Sequence, residues 1–280
     1  MKIRRKKIGT AQILAYGIIA LICIFSLFPI VWALGTSFKT QAQIYALPPE
    51  WLPAPYTFDN YLQVLLDASM LRYFMNTAVV SLGATCISLA IGILAAYGFS
   101  RYKFPGAKTL LASILFTRVL PRVTLIVPFY ITLRNLKLLN TYPGLILVYL
   151  MVVMPISVWM LKGFFDNIPL EIEEAAIMDG CSAFGMLMRI VIPISLPAIA
   201  AVGMYTFILA WNEFLFALLM TTDSTTRTIS VALAFYIDEA GVHWGPMMAA
   251  SILMSIPAVI VFTISQRNLV KGLSEGAVKG

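Results

Sequence analysis

The chain has 280 residues, 60% of them hydrophobic and 12% charged, and a formal net charge of +7. Soluble domains are nearer 45–50% apolar and about 25% charged, so this composition, with a mean hydropathy of +0.87, excludes a water-soluble globule and predicts an all-α, polytopic membrane protein. Nucleic acid is not an expected partner either, because the basic residues flank apolar runs instead of forming a patch interleaved with aromatics.

Six apolar segments are long enough to span a bilayer, which takes about 20 helical residues: 11–34, 75–99, 110–133, 144–161, 198–220 and 247–265. They form one transmembrane domain over 1–280. The first follows Lys2, Arg4, Arg5, Lys6 and Lys7 and exceeds the roughly 7–15 apolar residues of a cleaved signal, so it is expected as a retained span. Six spans put both termini on one side. With the termini inside, inner segments hold thirteen basic residues against five outside (Lys39, Arg72, Arg134, Lys137 and Arg227), which predicts cytoplasmic termini and a cytoplasmic loop at 166–197.

The outer segment 35–74 is rich in proline and aromatics. It reads as a compact exterior lobe or interfacial helix, with Trp51, Tyr56, Phe58 and Tyr61 equally suited to an aromatic belt. In the second span Ala84, Ser88, Gly92 and Ala96 place a small residue at every fourth position, which suits close approach of another helix of this chain or of another subunit. Arg118 and Arg122 lie one turn apart in the third span, beside Pro121 and Pro128. Charges at that depth either line a water-filled path or pair with carbonyls freed by the prolines. The fifth span carries Asn212 and Glu213, the latter the one carboxylate deep in an apolar segment: a functional group or a polar contact that orders the bundle. The outer segment 221–246 reads as a long polar loop able to reach a partner, with His243 at the surface, and the glycine-containing tail 266–280 as an extended end.

The loop 166–197 has its own grammar. Asn167 is expected to cap a short helix, Pro169 fits its first turn, Glu171, Glu173 and Glu174 sit at its positive dipole end, and Gly180 stops it. Ile168, Ile172, Ala175 and Ala176 share one helical face, while Glu171, Glu174 and Met178 lie on a neighbouring one. Ser182 is expected to cap a second helix to Val191, ended by Pro193 and Pro197.

Catalytic parts are missing. The nearest approach to a phosphate loop, Gly106-Ala107-Lys108-Thr109, lacks the adjacent Gly-Lys pair, and there is neither a nucleophile elbow nor an H-E-x-x-H helix. One deep carboxylate is thin support for an ion-coupled secondary transporter, and force delivered by another protein fits the large loop better.

Glu174-Ala175-Ala176, three residues, Gly180, nine residues, Ile190 and then Ile192-Pro193 resemble the EAA loop of permease subunits in binding-protein-dependent ATP-binding cassette importers; Ile192 stands where leucine is usual. FPIVWALGTSFK, YGFSRYKFPGAK, WNEFLFAL and the terminal KGLSEGAVKG are similar to the carbohydrate branch, in particular the second permease of maltose-type systems. The resemblance implies a type I importer permease in the cytoplasmic membrane with no cofactor of its own, ATP being bound by a partner. Polyols, glycerol-phosphate esters and peptides are the alternative cargoes. It implies that Ile172, Glu174, Ala175, Ala176, Asp179 and Gly180 dock on a cytoplasmic ATPase dimer and that Lys271 and Gly272 touch the same dimer. It further implies that Asn212 and Glu213 lie near the pathway, which Arg118 and Arg122 would border on the first of their two readings, and that a second permease, a solute-binding protein and membrane lipid are the other partners.

Overall fold

The structure is a computed structural model describing residues 10–51, 54–239 and 241–277, with side chains described within 12–266. α1 (Thr10–Ser37) carries no charged residue, and its residues 12–31 are exposed. An uncovered apolar helix of this length suits hydrocarbon, where all backbone groups must bond internally. The short helices α2 (Gln41–Ile44) and α3 (Asp59–Leu66) follow, then the long α4 (Ala68–Arg101).

The third apolar segment, expected as one span, is two helices, α5 (Ala107–Phe116) and α6 (Arg122–Asn135), broken around Arg118. Pro121 explains the break, since it drives Leu120 out of the helical region and itself stands as the N-cap of α6. After α7 (Tyr142–Asp166) come α8 (Leu170–Met178), α9 (Ala183–Met186), a π-helical turn at Leu187–Val191 and α10 (Ile192–Trp211). The expected stop at Pro193 and Pro197 is corrected: the chain stays helical through both. Pro193 follows directly on the π-helical turn, with Val191 and Ile192 still helical, so its missing N–H falls where the α-helical bonding pattern is already interrupted, and Pro197 sits at a 79° bend between Ala183–Ile194 and Leu196–Trp211. α11 (Leu215–Met220), α12 (Ile229–Ala234), a small hairpin of β1 (Ile237–Asp238) and β2 (Gly241–Val242), and α13 (Trp244–Ala277) complete the chain. Among the described residues four helices are long and apolar enough to cross a membrane, and the bent pair makes five if counted as one span.

Residues 266–277, expected to be extended, continue α13 as helix. Extension of an existing helix avoids the nucleation cost, so Gly272 and Gly276 weaken it without stopping it. The Lys271 side chain lies outside the described residues.

The chain forms two compact units, one of residues 1–67 with 236–253 and one of 68–235 with 254–280. In the first, the Asn60 amide donates to the carbonyls of Ser37 (3.0 Å) and Lys39 (2.9 Å), closing the exterior segment on itself. Trp51 meets Trp32 edge-on at 5.3 Å, and the buried Lys39 ammonium lies 4.6 Å from the centre of the Trp32 ring.

In the second unit α4 and α7 pack along the small-residue stripe. Ala84, Ser88, Gly92 and Ala96 are all buried, and the Ser88 and Ser157 hydroxyls are 2.7 Å apart. Of the two partners the sequence allows for this stripe, the structure supplies the one within the chain. Two apolar clusters sit along the pair: Val80, Leu145, Tyr149 and Phe216 centre one, and Tyr97, Leu161, Phe165, Ile168 and Met186 the other. The segment 221–235 is also not the free polar loop expected. The Ile229 N–H donates to Thr77 Oγ1 (2.8 Å), and Asn140 accepts from the Thr222 N–H (3.0 Å) and Thr226 Oγ1 (2.7 Å), pinning the segment against α4 and the start of α7.

Candidate functional site

The second apolar cluster is the platform of the 166–197 loop. Asn167 closes α7 instead of opening α8: its backbone is still helical, so its amide reaches back and donates to the Gly163 carbonyl (2.8 Å). Ile168 is buried in the cluster, and Pro169, in extended conformation, is the N-cap of α8. The end of α8 is a Schellman motif. The Gly180 N–H donates to the Ile177 carbonyl (2.9 Å) and the Cys181 N–H to the Ala176 carbonyl (3.0 Å), with Gly180 at φ +78°. Gly180→Val is expected to cost about 1–2 kcal/mol, because a Cβ is strained in the left-handed region, whereas Gly180→Asn should be tolerated; the thermal midpoints of the purified variants test this. The Ser182 hydroxyl caps α9 by accepting from the Gly185 N–H (3.2 Å), as its position in the sequence predicts.

Within α8 Glu173 is the one buried residue, 6% exposed. Its Oε1 accepts from Arg101 Nε (2.6 Å) and its Oε2 from the Tyr97 hydroxyl (3.2 Å). The same guanidinium donates from Nη2 to the Ile168 carbonyl (3.3 Å) and from Nη1 to Ser100 Oγ (2.8 Å). Ser100 Oγ donates in turn to Asp166 (2.7 Å), which also pairs with Lys162 (2.6 Å). One arginine at the end of α4 thus holds the last turn of α7, the lead-in to α8 and its middle. Removing one partner from such a buried pair costs roughly 3–5 kcal/mol, because the other charge stays buried and unpaired.

The outer face of α8 is bare. Met178 is 87% exposed, Ile177 61% and Leu170 54%, and Glu171, Glu174 and Ala175 are exposed beside them. The apolar face expected from spacing is therefore divided: Ile168 and Ala176 pack inward, while Ile172 and Ala175 face outward or sideways. Asp179 and Gly180 are exposed in the turn that follows. Exposed apolar side chains grouped on one helix mark a contact surface. Sequence reasoning missed Glu173, Arg101 and Tyr97. The i,i+4 spacing of Tyr97 and Arg101, with the i,i+3 spacing of Glu173 and Ala176, was the available signal, but Arg101 reads first as a topology charge.

Of the other candidates, Arg122, Asn212 and Glu213 line one cavity, and Arg118 and Arg122 line another, with Met151, Val152 and Phe216. Glu213, 3% exposed, has structural work to do: its carboxylate accepts the N–H groups of Phe216 (3.2 Å) and Ala217 (3.1 Å) and so caps α11. The Asn212 amide donates to its own helix at the Ile208 carbonyl (2.8 Å). Glu213→Leu strands the buried N–H groups, each worth about 1–3 kcal/mol, while Glu213→Gln keeps one acceptor. A thermal midpoint well below that of the glutamine variant is the expected result in detergent.

A bundle of long apolar helices, carrying a loop helix that is anchored within and bare without, defines a membrane-embedded component made to meet a partner. The chain belongs to the family of binding-protein-dependent transport system inner membrane components, whose description matches residues 88–275. It is 34% identical over 261 residues to the sulfoquinovosyl glycerol transport system permease protein SmoH of Agrobacterium fabrum, covering 93% of this chain and 92% of that one. It is also 34% identical over 268 residues to the trehalose/maltose transport system permease protein MalG of Thermococcus litoralis, covering 93% and 94%. Among solved structures, a bacterial ABC transporter involved in import of the acidic polysaccharide alginate shares the fold, with a TM-score of 0.80 at 21% identity, over 95% of this chain and 99% of that one.

Proposed function

We infer that this chain is a transmembrane subunit of an ATP-binding cassette importer that moves a carbohydrate across the cytoplasmic membrane, with both termini and the 166–197 loop in the cytoplasm. A separate ATPase dimer binds and hydrolyses ATP, so this subunit performs no catalysis. A second permease completes the pathway, and an extracytoplasmic binding protein delivers the solute. The observation that carries this reading is α8, fixed on its inner face to the ends of α4 and α7 and uncovered on its outer face at Glu174, Ala175 and Met178.

The excess of basic residues in the inner segments supports the orientation. The names of the Agrobacterium and Thermococcus relatives support a sugar or glycoside as cargo. Arg118, Arg122, Asn212 and Glu213 border the pathway in this reading, and the tail at Lys271 and Gly272 lies against the ATPase. Purification of the intact complex tests it. An ATPase and a second permease should copurify, and the binding protein loaded with its sugar should stimulate ATP hydrolysis. Gradient-driven uptake by this chain alone in liposomes would overturn the reading, and a binding protein that takes only a polyol, a glycerol-phosphate ester or a peptide would replace the cargo.

A further inference from the structure

We propose that Arg101, Glu173 and Tyr97 are positioning residues that lock α8 to the ends of α4 and α7, so that the three move as one rigid body when the ATPase displaces α8. The proposal rests on the reading of α8 as the ATPase-docking element.

Glu173 is the one fully buried side chain of α8, with Ala176 and Ile172 only partly covered, so a carboxylate stands at the centre of its inner face. The segments on either side are turns, with Pro169 before and the left-handed Gly180 after. A helix held only at its ends would pivot on those turns under load. Glu173 removes that freedom, because Nε–H and O–H donors grip both of its carboxylate oxygens from residues one turn apart on α4. A packed apolar contact can slide, whereas a charge-assisted bond from a planar guanidinium keeps its direction.

Arg101 also grips Ile168 through its carbonyl, and reaches Asp166 through Ser100. Displacement of α8 therefore cannot leave α4 or α7 behind without breaking several bonds at one buried centre, where both charged side chains are less than 10% exposed. The α4 and α7 helices in turn pack through the stripe from Ala84 to Ala96, and Arg101 lies at the end of that same helix. A lysine at position 101 places one ammonium where the arginine presents a fork. It cannot hold Glu173, Ile168 and Ser100 together.

The test uses the assembled importer, with spin labels on cysteines replacing Ile177 on α8 and Leu94 on α4, both exposed, and the native cysteines replaced by serine. Their separation is measured without nucleotide and with ATP and vanadate. The expected result is one narrow distance, unchanged between the two states. Glu173→Ala and Arg101→Lys should lose that single distance on ATP trapping while the ATPase copurifies as it does with the labelled chain carrying the native pair, since neither change touches the outer face of α8.

A narrow, unchanged distance in Glu173→Ala, or an equally variable one in the unaltered complex, overturns the proposal. So does a Glu173→Ala chain that fails to assemble when Glu173→Gln assembles and keeps the single distance, because the pair is then only a folding element. Absence of any ATPase from the unaltered complex overturns the docking reading instead.

Discussion

Met178→Asp is expected to strip the ATPase from the purified complex while the permease still inserts and folds. Met178 ends α8 with 87% of its surface exposed; Ile177 beside it and Leu170 at the start of the helix are exposed too. An apolar anchor seated in a partner's cleft is commonly worth about 2–4 kcal/mol on truncation, which is roughly a 30- to 700-fold weaker complex. A carboxylate in the same cleft adds a desolvation penalty and stands beside Glu171 and Glu174, both already negative. Met178→Leu conserves volume and should bind nearly as well. The fraction of ATPase retained after a salt wash reads the difference, and retention by the aspartate variant at the level of the unaltered protein would remove Met178 from the interface.

Gly92→Leu should have the other large effect, on folding itself. A bare Cβ at Gly92 would lie 3.3 Å from Ser157 Cβ and 3.4 Å from Leu161 Cδ1. Alanine therefore needs a shift of a few tenths of an ångström, whereas leucine has no space and must push α4 from α7. Overpacking costs typically about 1–3 kcal/mol; here it also endangers the neighbouring hydrogen bond of Ser88 with Ser157. The expected outcome is a near-complete loss of monodisperse protein for Gly92→Leu and a modest fall in thermal midpoint for Gly92→Ala. A leucine variant as stable as the alanine one would show that the stripe does not set the α4–α7 distance.

Much of the loop was legible because its signals are local. Gly180 as a stop, Ser182 as a cap and the negative first turn of α8 depend on backbone groups within a few residues, and each appears where spacing places it. Asn167 failed for the same reason inverted: an asparagine between two helices can serve either, and the length of α7 decided the matter. The stripe from Ala84 to Ala96 announced close packing, but not its partner, since any helix with small residues would satisfy it. Glu213 announced a buried polar role and turned out to cap α11, a helix too short to be foreseen from apolar periodicity.

By itself, the sequence determined that this is a helical membrane protein, where its polar loop lies, and which residues shape that loop's turns, because composition and short-range hydrogen bonding act without reference to distant residues. Only the tertiary structure decided that Glu173, one position before the motif's Glu174, is the carboxylate turned inward, and that Arg101, 72 residues earlier, is what holds it. A guanidinium and a carboxylate attract from any direction, and which pair meets depends on how α4, α7 and α8 pack, a global outcome of burial that no local spacing encodes.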